Sequence, residues 1–577
     1  MNPPSQAGSA CDIACSFARP DRAARANRRS RTGLVFARAA RAGRALSSSL
    51  AQSPTGNAIT LGSMTEAAVV SSPDLMRLRG LLTATGPGME LTSPITGQVL
   101  GELPTSTAAD VEVGAQIAHR AQKEWAARPI EERARLLLDF HDHLLDRRDY
   151  FVDLLQADGK DRMNAIAEVL HVALTARYYG RTARRYLHSE RGEGVLPLVT
   201  KIERHYVPKG LVGVIAPWNW PLTMAISDGL AALVAGNAIM LKPDHQTPLP
   251  ALAAVELLRA AGLPADLWQV VHGPGAVVGR ELIDVSDYVC FTGSTSTGRT
   301  VAAQCANRLI GCSLELGGKN PMVILDDANV EAAAEGAVRA SFSCAGQLCV
   351  STERIYVAEP IFEPFVQAFV ARTQAMQLGN ASDFSYDMGS LINHDQLARV
   401  SDHVEDARSQ GATVLTGGRR REDIGELFYE PTILTGVTPT MRCCAEETFG
   451  PVVSVYPVAS EAEAVMRANE SDYGLNASVW TTDHARGRRV ASKIKCGSVN
   501  VNDGFAASFG SIDAPMGGMK NSGLGRRQGR DGIRRFVEVQ SVATQVIPLA
   551  PSHGLDAKSF TSLITGVFKV MKKVGRA

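Results

Sequence analysis

A thiol, a carboxylate and a carboxamide stand out for the chemistry they could do together. Cys349 lies in FSCAGQLCVSTERIYV, residues 342–357, where small residues and Gly346 lead up to it and an apolar run follows. A lone cysteine is more often a packing residue than a nucleophile. The balance shifts because LELGGKNP, residues 314–321, sets Glu315 beside a Gly-Gly turn at the end of a short apolar run. A thiol that can form a thioester and a carboxylate that can activate water are the pair acyl-enzyme chemistry needs. PWNWP, residues 217–221, adds Asn219, whose amide at a strand end can stabilise an oxyanion, although taken alone it reads as a turn residue.

These residues need a scaffold, and the chain alternates short apolar runs with helical stretches. LVGVIAP (211–217), NAIMLKP (237–243), WQVVHG (268–273) and DYVCFTG (287–293) read as buried strands, with helices over Thr223 to Ala235 and Pro250 to Ala261. Strands alternating with helices imply parallel β and a doubly wound sheet. PMVILD, ERIYVAE, VVSVYPV and SVNVND supply a second series. Ahead of both, apolar residues three and four apart predict helices from Ala108 to Trp125 and from Ile130 to Leu155.

With 577 residues the chain exceeds one hydrophobic core, so two or more domains are expected. Lys+Arg 60 against Asp+Glu 59 gives no bulk case for nucleic acid or an anionic membrane as partner. No apolar run reaches the roughly 18 residues a membrane span needs. The ten cysteines are scattered, without the spacing of a zinc site, so no structural metal is expected and a reducing compartment suits them. Residues 1 to about 63 are rich in Arg, Ala and Ser, with no Lys and only Asp12 and Asp21 as acids. That composition fits either an organelle transit peptide or an over-extended start ahead of Met64. The terminal LITGVFKVMKKVGRA can form a short basic amphipathic helix, better suited to a subunit contact than to a membrane-surface anchor.

From about residue 90 to about 545 the chain resembles the aldehyde dehydrogenase superfamily. The motifs fall in order: PWNWP, KP at 242–243, FTGSTSTG at 291–298, LELGGKNP, the Cys349 segment, EETFGPV at 446–452, YGLNAS at 473–478 and PMGGMKNSGLGR at 515–526, with Glu315 and Cys349 at the family's 34-residue separation. The resemblance implies an α/β fold with a Rossmann-type cofactor domain, an α/β catalytic domain and a β oligomerisation arm. Expected boundaries are an N-terminal extension at 1–75, cofactor domain at 76–187 and 209–318, and arm at 188–208. The catalytic domain follows at 319–535, with an arm strand and tail at 536–577. It further implies that Cys349 attacks the aldehyde, that Asn219 and the Cys349 N–H hold the oxyanion, and that Glu315 hydrolyses the thioester. A non-catalytic structural protein of this fold would be expected to lose one of these three residues.

The cofactor implied is NAD or NADP. The glycine-rich GPGAVVG (273–279) and GSTSTG (293–298) are weak signals separately. By resemblance, Ser294 contacts pyrophosphate, Lys242 the adenine ribose, and Glu447 and Phe449 the nicotinamide ribose and ring. Trp218, Gly275, Gly279 and Gly298 complete the expected site. NAD-preferring relatives usually carry Glu three residues after this Lys; here Asp244 is followed by His245, which favours NADP, although Asp244 returns a charge nearby. Within the superfamily, VVHGPGAVVG, RLIGCSLELGGKNPM and DFSYDMGSLI resemble NADP-type succinate-semialdehyde dehydrogenases of the actinobacterial kind. Ile226 and Ser343 stand where better-known members of that group carry Arg, so a broad-range enzyme for medium-chain or aromatic aldehydes is the alternative. A cytoplasmic homodimer or homotetramer is expected, or a mitochondrial one if residues 1–63 are a transit peptide.

Overall fold

The computed structural model describes residues 72–196, 199–379, 381, 383–547, 551, 554 and 556–573. Both readings of residues 1–63 lie outside the described residues, as do Cys11 and Cys15.

Two sheets carry the site. The first is six-stranded and runs Gly523–Leu524, Gly311–Glu315, Tyr288–Thr292, Leu211–Ile215, Ala238–Lys242, Trp268–Val270. All neighbours are parallel except the first pair. Every residue of LVGVI and AIMLK is buried, as expected when helices cover both faces of a parallel sheet. The second sheet is seven-stranded: Thr413–Thr416, Thr432–Thr435, Val452–Val458, Thr352–Ala358, Asn320–Ile324, Asn476–Trp480, Ser498–Val501. Each sheet has its own apolar core, one around Trp268, Phe140 and Phe151, the other around Phe342, Phe365 and Phe369.

A third sheet is built at the periphery. Val537–Gln545 pairs antiparallel with Thr200–Pro208 along their whole length, and Glu190–Gly192 adds a short edge. Val539 and Val542 on this strand are exposed.

One expectation needs correction. The helix expected from Ile130 to Leu155 is two helices, Ile130–Asp146 and Arg148–Ala157. Arg147 (φ −102°, ψ 17°) leaves the helical ladder between them. Leu137, Phe140, Leu144, Phe151 and Leu155 remain in helical phase across the break, so the apolar period conceals it. Late in the chain, Phe509, Met516 and Ile533 pack in the first core, and Gly523–Leu524 pairs with the strand that ends at Glu315.

Candidate active site

The thiol loop is a strained turn held from outside. Where the helix Val330–Phe342 ends, Cys344, Ala345 and Gly346 take left-handed φ values of 51°, 54° and 70° in succession. Such backbone persists only where the surroundings over-determine it. Here they do: a Cβ on Gly346 would lie 2.1 Å from the Gly450 carbonyl oxygen. The Gln347 amide donates to Ser390 O at 3.2 Å, and its oxygen accepts from Ile392 N at 3.0 Å. Cys349 follows just before the strand Thr352–Ala358, and its carbonyl accepts from Asn320 Nδ2 at 2.8 Å.

Asn219 is brought to this loop. Its Nδ2 donates to the Gln347 carbonyl at 2.9 Å, two residues from the thiol. Its own carbonyl accepts from Lys160 Nζ at 2.6 Å, and Lys160 pairs with Glu168 at 2.6 Å. The other Glu168 oxygen accepts from the N–H groups of Leu222 and Thr223, at 2.9 Å each. The helix Pro221–Val234 has no side-chain cap of its own. Glu168 therefore caps it from a distance, placing negative charge at the positive end of the helix dipole. Both members of the pair are buried.

Glu315 ends the strand Gly311–Glu315. It is 4% exposed, and neither carboxylate oxygen has a hydrogen-bond partner among the described residues. Burial pushes its carboxyl up to about 7, against the opposing pull of Arg527 and Arg535. Those two guanidinium groups are themselves paired with Asp228, at 3.0 and 2.6 Å. Burial, then the charges of Glu315 and Glu447, pushes the Cys349 thiol up to about 12, so the resting sulfur is protonated.

Gly317 and Gly318 let these parts meet. A Cβ on Gly317 would lie 2.3 Å from Glu447 Oε2, and one on Gly318 would lie 2.6 Å from the Cys349 carbonyl oxygen. Glu447 accepts from Gly318 N at 2.7 Å, and burial raises its carboxyl to about 8. The turn after it, with Phe449 at φ 56°, is fastened by Glu353, which accepts from Thr448 N at 2.9 Å and Phe449 N at 3.0 Å. Glu353 is in turn ion-paired with Lys319, the residue after Gly318. The Trp218 ring meets Phe449 edge to face at 5.5 Å.

The remaining expected residues follow the carboxyl ends of the parallel strands in the first sheet, where α/β folds bind nucleotides. Lys242 is 2% exposed, yet among the described residues its ammonium donates only to the Pro243 carbonyl, and burial lowers its pKa. A buried three-donor ammonium with one partner suits a ligand bearing hydroxyl or phosphate oxygens. A Cβ on Gly275 would approach Lys242 Nζ only to 4.0 Å, and Gly279 lies near Ile215 with similar room. Asp244 accepts from Gln246 N at 3.0 Å and lies 3.5 Å from His245. Ser294 caps the helix Thr295–Asn307 and is exposed at its N-terminus, a place suited to phosphate. The Cβ of any larger residue at Gly298 would strike Leu316. Gly293 N donates to the Glu315 carbonyl at 3.1 Å, which ties this helix start to the end of the Glu315 strand. The donor set fits a dinucleotide.

Lys160, Glu168, Lys319 and Glu353 were not singled out in the sequence. Lys319 and Glu353 sit inside motifs that were, but nothing local shows that they pair. Lys160 precedes the helix Arg162–Leu187, which carries Glu168, and no motif in that stretch marks either residue. Arg526 donates to the carbonyls of Gly518 and Gly525, while Arg527 is occupied by Asp228.

Comparison with known proteins shows the family. The sequence profile of the aldehyde dehydrogenase family matches residues 82–542. A Mycolicibacterium smegmatis protein whose name reads "Putative succinate-semialdehyde dehydrogenase", with NADP(+), is 49% identical over 510 residues, covering 87% of this chain and 99% of its own. Among solved structures, an NADP-dependent enzyme from E. coli superposes with a TM-score of 0.77 at 32% identity, covering 80% of this chain and 95% of that one. Betaine aldehyde dehydrogenase from Staphylococcus aureus, solved with NAD+, gives 0.77 at 31% identity, covering 82% and 97%. The chain belongs to the aldehyde dehydrogenase family.

Proposed function

We propose that this enzyme oxidises succinate semialdehyde to succinate with NADP as preferred cofactor, using Cys349 as nucleophile, Asn219 as oxyanion donor and Glu315 as base. The observation that carries the catalytic assignment is the grouping of Asn219 Nδ2 on the Gln347 carbonyl with a buried, unpartnered Glu315 whose charge is felt at Cys349.

The Cys349 sulfur bonds the carbonyl carbon as its proton passes to Glu315, and the carbonyl oxygen becomes an oxyanion. Asn219 Nδ2 turns from Gln347 O to that oxygen, joined by the Cys349 N–H; losing one such donor costs about 3–4 kcal/mol. The bound dinucleotide supplies the hydride acceptor. Lys242, Asp244, His245, Gly275, Gly279, Ser294 and Gly298 would hold its adenosine and pyrophosphate end, while Trp218, Glu447 and Phe449 would position the nicotinamide end. Cys349 is left acylated as a thioester. Glu315 gives the thiol's proton up to solvent, and its carboxylate then takes a proton from water as the water oxygen adds to the acyl carbon; that proton passes to the sulfur as the carbon–sulfur bond breaks, releasing acid and thiol.

The substrate choice rests on the relatives' names, since succinate-semialdehyde dehydrogenase is the name carried by the Mycolicibacterium protein. A specific observation favours a broader second reading. His171, Trp220 and Phe509 form a buried aromatic cluster beside Asn219, with Phe509 stacked 4.3 Å from His171 and edge-on 5.0 Å from Trp220. Such a wall suits medium-chain or aromatic aldehydes. Initial rates with succinate semialdehyde, hexanal and benzaldehyde, each with NAD and NADP, decide between them. No kcat/KM advantage for succinate semialdehyde would refute the specific substrate and leave the aldehyde chemistry. Cys349→Ser should lose essentially all turnover, and full retained activity would overturn the mechanism.

We place the cofactor domain on the first core, the catalytic domain on the second, and the subunit contact on the sheet of Val537–Gln545 and Thr200–Pro208, in a cytoplasmic homodimer or homotetramer. The exposed Val539 and Val542 support that contact.

A further inference from the structure

The helix Ala557–Lys573 lies beyond the residues matched by the family, and none of its residues is buried. At about 100° per residue, Phe560, Leu563, Ile564, Val567, Phe568 and Val570 fall on one face. Lys558, Lys569, Lys572 and Lys573 all fall on the other, with serines, threonines and Gly566, and the helix contains no acidic residue. Leu563, Phe568 and Val570 are 55%, 48% and 59% exposed. Among the described residues no helix is long and apolar enough to cross a membrane.

A helix that packs on another protein surface commonly carries both signs of charge on its free face. This one is purely cationic, although the whole chain is balanced at 60 basic against 59 acidic residues. Its complement must be apolar under the helix and anionic along both flanks. A bilayer containing acidic phospholipid has that layering: acyl chains for the Phe560–Val570 face, and headgroups for the lysines. The lysines segregated from the exposed apolar face match that layering better than a protein surface of mixed charge.

We propose that the helix Ala557–Lys573 lies flat on anionic phospholipid and holds the enzyme at the membrane surface as a peripheral protein. The inference is independent of which aldehyde is oxidised.

The test is flotation of the full chain with vesicles of phosphatidylcholine alone and of phosphatidylcholine mixed with phosphatidylglycerol. The mixed vesicles should carry up about tenfold more protein, with the gain falling as salt is raised. Leu563→Ser with Phe568→Ser, and separately Lys569→Glu with Lys572→Glu, should abolish flotation and leave dehydrogenase rates unchanged. Absence of flotation, or equal flotation with both vesicle types, would overturn the proposal. So would a fall in assembly mass, read by light scattering, on truncation after Gly554, because a second copy would then be what covers this face.

Discussion

Lys160 donates to the backbone carbonyl of Asn219 at 2.6 Å from 59 residues earlier in the chain. The same ammonium holds Glu168, which caps the helix that Asn219 precedes. One buried ion pair therefore holds the backbone carbonyl of Asn219 and, through Glu168, the first N–H groups of the helix that follows.

Lys160→Met should lower kcat by tenfold or more through loss of Asn219 placement, and should destabilise the fold by about 3–5 kcal/mol because Glu168 is left charged and unpaired. Lys160→Met with Glu168→Gln should recover most of the stability and little of the kcat. Denaturant unfolding and steady-state rates on the two variants separate placement from simple folding loss.

Glu315 sets a pH dependence. With its carboxyl raised to about 7, it is protonated and unable to act as base at pH 6, and ionised by pH 8. kcat should rise through this interval, and Glu315→Gln should abolish hydrolysis of the acyl-enzyme. Raising a carboxyl from 4.5 to about 7 also means that its ionised form costs the native state about 3 kcal/mol. The native protein binds the extra proton between the unfolded and folded values, so this contribution to stability is lost as pH rises through about 7. Glu315→Gln should accordingly unfold at higher denaturant than the parent at pH 8, and at nearly the same denaturant at pH 4.5, where both states of the parent hold the proton. Equal midpoints at both pH values would contradict the burial argument.

The residue at 245 is expected to bear on the choice of cofactor. Glutamate at this position would set a second carboxylate beside Asp244 and repel a ribose 2′-phosphate. His245→Glu should shift the ratio of kcat/KM for NADP over NAD downward by about tenfold, equivalent to roughly 1.4 kcal/mol. Ratios measured with one aldehyde in both enzymes check this, and an unchanged ratio removes residue 245 from the specificity determinants.

Gly346 needs both its left-handed φ of 70° and the absence of a Cβ facing Gly450 O. Gly346→Ala should destabilise the protein by about 2–4 kcal/mol and slow alkylation of Cys349 by iodoacetamide as the thiol loop shifts. Alkylation at the parental rate would show that the turn does not position the sulfur.

Much of this enzyme was determined by local sequence alone. Buried strands such as LVGVI and AIMLK announce themselves because a parallel sheet covered on both faces demands unbroken apolar runs. Cys349, Glu315 and Asn219 were legible because each sits in a short motif with its turn residues beside it. Tertiary structure decided what supports them. Lys160 and Glu168, Lys319 and Glu353, and the return of residues 509–537 to the first core depend on contacts between segments far apart in the chain, which no local period records. The break at Arg147 escaped notice for the converse reason, since its apolar residues keep one helical phase on both sides. Burial itself was also a decision of the fold: a carboxylate in water stays near its ordinary pKa, and Glu315 becomes a base poised near neutrality only because the folded chain removes the water around it.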